Sequence, residues 1–445
     1  MFRRLPPAPH YADDVLRALA DTMREGHDPA QGGWGGPLSP PITGDNPQIA
    51  AGFTYLGQFI DHDITFDPSS LLQRQNDPDS LRDFRSPRFD LDSVYGSGPA
   101  DEPFQYDQTS GGSKFLIEPN RSGIDDLPRN GQDVALIGDP RNDENIIVSQ
   151  LQLVFMRFHN KVFDQVSADP TVPEERRFDE AQQIVRWHYQ WVIVHDFLPL
   201  LVGRDTFEKI HRIDDDGLPD IVNRHYRPQV NAYMPVEFSA AAYRYGHSQV
   251  RQIYDLNENV SGRPIFLAGE VGELDDLRGF RRLPTGWTAK WDLFFAIDGS
   301  TPQPSRLIDA KLSPALFDLP RPTDERSLAF RNLRRGQLLD LPSGQDVARF
   351  MGLPVRSGPE LGAPEPTPLW FYILKEAALH RKDEGLGGQT LGPVGARIVA
   401  EVLLGLLRID PRSYYNQAPD WEPKLPSAAG AGQFNMADLV KFATT

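Results

Sequence analysis

The fold turns on TYLGQFIDHDITFDP, residues Thr54 to Pro68. A histidine, His62, stands between two acids, Asp61 and Asp63, directly after an apolar segment. Tyr55, Leu56, Phe59, Ile60, Ile64 and Phe66 flank the triplet, which argues against a charged, solvated face. Read as a helix, the stretch puts Gln58, Asp61 and His62 at i, i+3 and i+4 on one face. Asp63 is then turned away by about 100°. One face offers an imidazole and an amide to a pocket, and the next acid serves something on the other side. The plain structural alternative is a core histidine held by a neighbouring carboxylate.

Outward from this stretch, helical periodicity dominates. ENIIVSQLQLVFMRFHNKVFDQV (144–166) has apolar residues at three- and four-residue spacing. The run from Glu174 to Gly203 begins after Pro173 with acids in its first turn, as helix starts prefer. VEFSAAAYRYGHSQV, GQDVARFMGL, PLWFYILKEAALHRK and GARIVAEVLLGLLRID read as further helices. Residues 1–50 read as an irregular arm with one short helix, ADDVLRALADTM. Between Pro68 and Pro140 the signals are turns, among them DPSS, NDPDS, YGSGP and SGGS. Residues 283–313, rich in Trp, Phe and Pro, carry no clear pattern. The expected architecture is mainly α, with long loops, little β and one domain over residues 1–445.

Composition narrows the function. Hydrophobic residues make up 39% and charged residues 24%, the balance of a globular protein. A net charge of -16 disfavours nucleic acid or an anionic membrane as partner. The chain has no cysteine, which excludes disulfides, thiolate metal sites and cysteine nucleophiles. No run approaches the length of a membrane span. The start, MFRRLPPAPHYADD, has no apolar core of a signal peptide, so a cytoplasmic location or signal-free export is expected.

Three more stretches carry chemistry. RSPRFDLDSVYGSG (85–98) places Ser86, Asp90 and Asp92 at short steps in a turn. Hard oxygen ligands on a loop suit calcium, with a backbone carbonyl and the outward Asp63 completing the shell. GDPRNDENI (138–146) puts Arg141 ahead of a helix with Glu144 three residues on, which also reads as a helix cap with a first-turn acid. AAYRYGHSQV (241–250) carries His247 on a helix of small residues, which let a flat group, or another helix, approach. RIDDDGLPD (212–220) lacks calcium-loop spacing and reads as a solvated turn. His188 and His195, seven apart, read as a core seam rather than as zinc ligands.

Taken in order, GQFIDHD, RSPRFDLDSVYGS, GDPRNDE, YRYGH and RNLRRGQLLDLPSG resemble the animal-type haem peroxidases of the peroxidase–cyclooxygenase superfamily. The resemblance implies haem b and calcium as cofactors, and reduction of hydrogen peroxide through a ferryl intermediate. It implies small organic, halide or pseudohalide electron donors. By this resemblance His62 is the distal histidine with Gln58 as its companion, Arg141 the distal arginine and His247 the proximal iron ligand. Asn332 matches the partner of that ligand's far nitrogen, and Arg244 the arginine that meets a haem propionate. Asp63, Ser86, Arg88 through its carbonyl, Asp90 and Asp92 match the calcium site. Asp61 and Glu144 match the carboxylates that are ester-linked to haem in mammalian members.

The departures are informative. Asn145 stands where mammalian members can carry a methionine bonded to a haem vinyl group, so that link is not expected. Asp92 replaces a familiar serine and adds charge to the calcium loop. The lack of disulfides points to a bacterial-like member. No Tyr-His-Trp-His stretch of the cyclooxygenase type is present, and KWDLFFAIDG, in about that region, has no tyrosine. Two rivals accompany the peroxidase reading. One is a fatty-acid dioxygenase on the same fold, and the other a haem-binding or adhesive protein without turnover. A binder has no need of both His62 and Arg141.

Overall fold

The structure, a computed structural model, describes residues 1–26, 44–65, 85–119, 123–269, 271–320 and 325–445. The turn stretches DPSS and NDPDS lie outside them. Long helices carry the fold: α1 (Asp13–Thr22), α2 (Ala51–Ile64), α3 (Ile146–Ala168), α4 (Arg177–Val192), α5 (Leu328–Leu338), α6 (Gly344–Met351), α7 (Leu369–Leu379), α8 (Pro393–Ile409) and α9 (Met436–Thr444). Among the described residues the sheets are two-stranded only, such as β1 (Asp45–Ala50) against β2 (Pro304–Arg306). The mainly α expectation is met.

The helices start where short polar side chains can take up the first free N–H groups. Asn145 accepts from the N–H of Ile147 and Val148 at the head of α3. Ser327, Ser343 and Asn435 do the same for α5, α6 and α9. Helix α2 has no side-chain cap and is buried on nearly all sides. Packing therefore holds it in place. Phe59 of α2 stacks on Phe155 of α3 with ring centroids 4.4 Å apart, and Tyr189 of α4 meets Phe155 edge-on at 5.6 Å. Helix α4 continues through a π-helical turn at Ile193–Phe197 into Leu198–Val202, so the run expected as one helix is one rod with a local widening.

Two local expectations are corrected, and two further stretches are defined. VEFSAAAYRYGHSQV does not form one α-helix: Val236–Ser239 is a single turn, and Ala242–Gln249 is a 3-10 helix. The described parts of the arm, 1–26 and 44–50, are more ordered than their composition suggests. Phe2 is buried, its N–H donates to Glu237 at 2.9 Å, and β1 pairs with β2. RIDDDGLPD holds the solvated turn expected of it, exposed between the paired strands His211–Ile213 and Pro219–Ile221. Residues 283–313 contain a 3-10 turn at Trp291–Leu293 and strand β2.

Close backbone approaches fix α2. A Cβ at Gly52 would meet the Phe294 carbonyl oxygen and the Phe295 ring, each at 2.5 Å. Gly52→Ala should therefore destabilise the protein by ~1–3 kcal/mol, because a carbonyl cannot swing aside as a side chain can. Denaturant unfolding checks this. Farther off, Glu376 of α7 is only 2% exposed and accepts from the Val394 N–H of α8 at 2.9 Å. Burial pushes its carboxyl up to about 8. Between the ordinary 4.5 and about 8 the folded state keeps a proton that the unfolded chain releases, so this group's contribution falls as pH rises. Glu376→Gln should gain stability relative to the parent from pH 5 to pH 9, read as the difference in unfolding midpoints.

Candidate active site

A cavity of about 490 Å³ lies between α2, the 3-10 helix at Ala242–Gln249 and α5. That size suits a bound organic group, for which roughly 300–1,000 Å³ is usual. Gln58, Asp61 and His62 of α2 line it together, as their helical spacing requires. Arg141, Glu144, Arg244, His247 and Asn332 line it as well. Gln58 and Asn332, 274 positions apart in sequence, thus meet in one space.

His62 is buried, and its Nδ1–H donates to Oδ1 of Asn142 at 2.8 Å. Asn142 in turn donates through Nδ2 to Oε1 of Gln152 at 2.9 Å, which fixes the amide's orientation and hence the imidazole tautomer. Nε2 of His62 is left as a lone-pair acceptor. Burial, reinforced by the Arg141 charge, lowers the His62 pKa to about 3, so the ring is neutral at ordinary pH. Gln58 is held from both ends: Nε2 donates to Glu144 at 3.1 Å, and Oε1 accepts from Asn145 at 3.2 Å.

Arg141 sits in a 3-10 turn, Pro140–Asp143, capped by Asp139. Its guanidinium donates to Asp139 at 2.9 and 3.1 Å and to the His62 carbonyl at 3.1 Å. Asp139 is fully buried. Burial alone would raise its pKa, but Arg141, His62 and Arg85 together hold it near 2. Behind this turn Arg129 grips Asp143 with two bonds at 2.6 and 2.7 Å, a buried bidentate pair.

On the other wall, Nδ2 of Asn332 lies 2.8 Å from Nδ1 of His247, and Arg244 reaches Oδ1 of the same amide at 3.5 Å. Burial, then the charges of Arg244 and Arg331, lower the His247 pKa to about 3. Arg331 and Arg335 of α5 also line the cavity, and burial lowers both to about 10. Three arginines on one wall make a cradle for carboxylate groups of a ligand. The Asp61 carboxyl is raised by burial and accepts from the Thr65 hydroxyl at 3.2 Å.

Asp63 faces away from the cavity, as the helix angle demands, and meets the loop after Arg85. Asp63, Asp90 and Asp92 bring carboxylate oxygens within 4.8 Å of one another. Leu91 between the two loop acids has a left-handed φ of 59° and is fully buried. Its N–H and the Ser93 hydroxyl each donate to Asp63 at 3.3 Å. The Ser86 N–H donates to Asp92 at 3.2 Å, and the Arg88 N–H to the Ser86 carbonyl at 2.7 Å. Burial, then Asp92 and Asp90, push the Asp63 carboxyl well up, and burial pushes Asp92 to about 7. Two buried acids and a half-buried third this close are costly without a cation among them.

The sequence reading did not single out Arg85, Asp139, Asn142, Arg331 or Arg335. Arg331 and Arg335 had a signal, since they lie one residue before and three after Asn332 on a helix. Asp139 had one as well, two residues before Arg141. Asn142 and Arg85 had none, because their partners are distant in sequence. Neither His188 nor His195 is placed as a metal ligand. His188 Nδ1–H donates to the Ile184 carbonyl at 2.7 Å, and His195 stacks on Trp191 at 3.8 Å.

Residues 84–357, more than half of the chain, match the animal haem peroxidase family model. Chorion peroxidase of Drosophila melanogaster is 25% identical over 298 residues, which cover 62% of this chain and 34% of that protein. A second Drosophila melanogaster protein, named peroxidase, is 27% identical over 305 residues, covering 64% of this chain and 42% of its own. The chain thus spans well under half the length of these curated relatives. Peroxidase A from Dictyostelium discoideum has the same fold, with a TM-score of 0.67 at 16% identity over 99% of this chain and 92% of that one. Fatty acid alpha-dioxygenase of Oryza sativa shares the fold too, with a TM-score of 0.60 at 16% identity over 98% and 78%. The chain belongs to the animal haem peroxidase family.

Proposed function

We propose that the chain is a calcium-holding haem peroxidase that reduces hydrogen peroxide and oxidises small organic, halide or pseudohalide donors. The observation that carries this reading is a pair of buried, neutral imidazoles on one cavity, each tied at Nδ1 by an asparagine. A metal ligand and a proton acceptor both need an Nε2 lone pair: His62 has it through its bond to Asn142, and His247 gains it when its proton sits on Nδ1. The residues fit haem: His247 stands ready as iron ligand, and the cationic wall of Arg244, Arg331 and Arg335 suits two propionates. An iron-binding His247 carries its proton on Nδ1, and a half-turn of the Asn332 amide offers that proton an oxygen. Asp61 and Glu144 are the carboxylates for ester links to the haem edge.

Bound haem would supply the redox chemistry. The chain's own work is positioning and proton transfer. His62 accepts a proton from peroxide at Nε2 and returns it to the leaving oxygen. Arg141 is charged at all working pH values and stabilises the negative charge that develops as the O–O bond breaks. Gln58, held by Glu144 and Asn145, fixes a polar contact beside them. Calcium would be held by Asp63, Asp90, Asp92, Ser86 and the Arg88 carbonyl, and would bind the loop to the last turn of α2.

The fatty-acid dioxygenase reading has one observation in its favour: Tyr243 and Tyr245 line the cavity, supplied by the YRYGH stretch rather than by KWDLFFAIDG. Oxygen uptake on linoleate without peroxide turnover would decide for it.

His62→Leu should slow the reaction with hydrogen peroxide by ~10²–10⁴-fold while leaving the haem absorbance band in place. Stopped-flow absorbance measures both. His247→Ala should lose the parent haem spectrum and the activity together, and an unchanged spectrum would exclude it as iron ligand. Calcium at a hundredfold excess over its dissociation constant should raise unfolding stability by ~2.7 kcal/mol. Asp63→Asn should show little of that gain, and calorimetric scans of both proteins with and without calcium check it.

A further inference from the structure

We propose that Arg85 and Asp139 are positioning residues for Arg141, forming a buried clamp that ties the distal arginine to the carboxylate loop. The inference rests on the peroxidase reading for its consequence and on geometry for its existence.

Asp139 receives five hydrogen bonds from two arginines. From Arg141 come the backbone N–H at 2.8 Å, Nε at 3.1 Å and Nη2 at 2.9 Å. From Arg85 come Nε at 3.1 Å and Nη2 at 2.8 Å. Arg85 also donates to the Gly138 carbonyl at 2.7 Å and to the Asp92 carbonyl at 3.3 Å. Its Nη1 lies 3.5 Å from the Asp92 carboxylate. The planar fork thus spans both loops, which a point-charge cation could not do.

The two loops touch closely where the clamp sits. A Cβ on Gly138 would meet the Ser93 and Asp92 carbonyl oxygens at 2.6 and 2.8 Å. The chain segment that carries Arg141 is therefore pressed against the segment that carries Asp90 and Asp92. Arg141 closes the circuit by donating to the His62 carbonyl, one residue before Asp63. An arginine without such a clamp would sample several rotamers, and ordering it would cost entropy at each turnover.

The test uses binding of fluoride and cyanide to the haem-loaded protein, followed by absorbance. Arg85→Gln should weaken both anions about tenfold, the lower end of what loss of an outer-shell partner costs at such sites. Asp139→Asn should do the same, and the double variant should be no worse than either single change, since both break one network. Arg85→Lys keeps the charge but not the fork and should recover only part of the loss. Hydrogen exchange over residues 138–142 in haem-free protein reads the same clamp without the cofactor and should quicken severalfold in Arg85→Gln. Anion binding within twofold of the parent, with unchanged exchange, overturns the proposal, as do additive losses in the double variant. A parent that takes up no haem would sink the peroxidase reading, and exchange alone would then decide for or against the clamp.

Discussion

Successive side chains on an α-helix leave the axis about 100° apart, and the molecule is built around that angle in the last turn of α2. Asp61 and His62 look into the cavity while Asp63 looks out into the acidic loop. Two sites of different chemistry therefore share one rigid turn, and neither can move without the other. The helix has no side-chain cap at its head and is gripped by packing, by the carbonyl above Gly52 and by the stacked Phe59–Phe155 rings. The rest of the fold reads as support for that grip.

Charge is arranged as alternation. Asp92, Arg85, Asp139 and Arg141 follow one another in space with opposite sign at every step. Buried ions are expensive singly, and each must be matched by a partner and by further hydrogen bonds. Asp139 meets both conditions, which is why its carboxyl stays ionised with no exposed surface. Asp63 faces Asp90 and Asp92 instead of a base, and its carboxyl is raised. The contrast separates a carboxylate matched by arginines from one surrounded by other acids.

Much of this was legible in the sequence, and the reasons are local. Helices α3, α7 and α8 declared themselves by apolar spacing, and the two faces of α2 followed from the order of three residues. The family resemblance placed His62, Arg141, His247 and Asn332 on one cavity, and the structure brings them there. The 3-10 course of Ala242–Gln249 was hidden because its composition suits an α-helix equally well, and tertiary packing decides between them. Asn142 and Arg85 were hidden for another reason. Their hydrogen bonds close over 80 and 54 residues of chain, and no spacing rule reaches so far.

Asn145 has a consequence for engineering. Its side chain caps α3 through two N–H groups and at the same time orients Gln58. Losing such a cap costs ~1 kcal/mol before any effect on the pocket. A methionine grafted there to tether a cofactor would arrive at the expense of the helix start and of the amide beside His62. Covalent tethering at that position and the present polar arrangement are thus alternative solutions for one backbone, and a designer wanting the first would have to build a new start for α3.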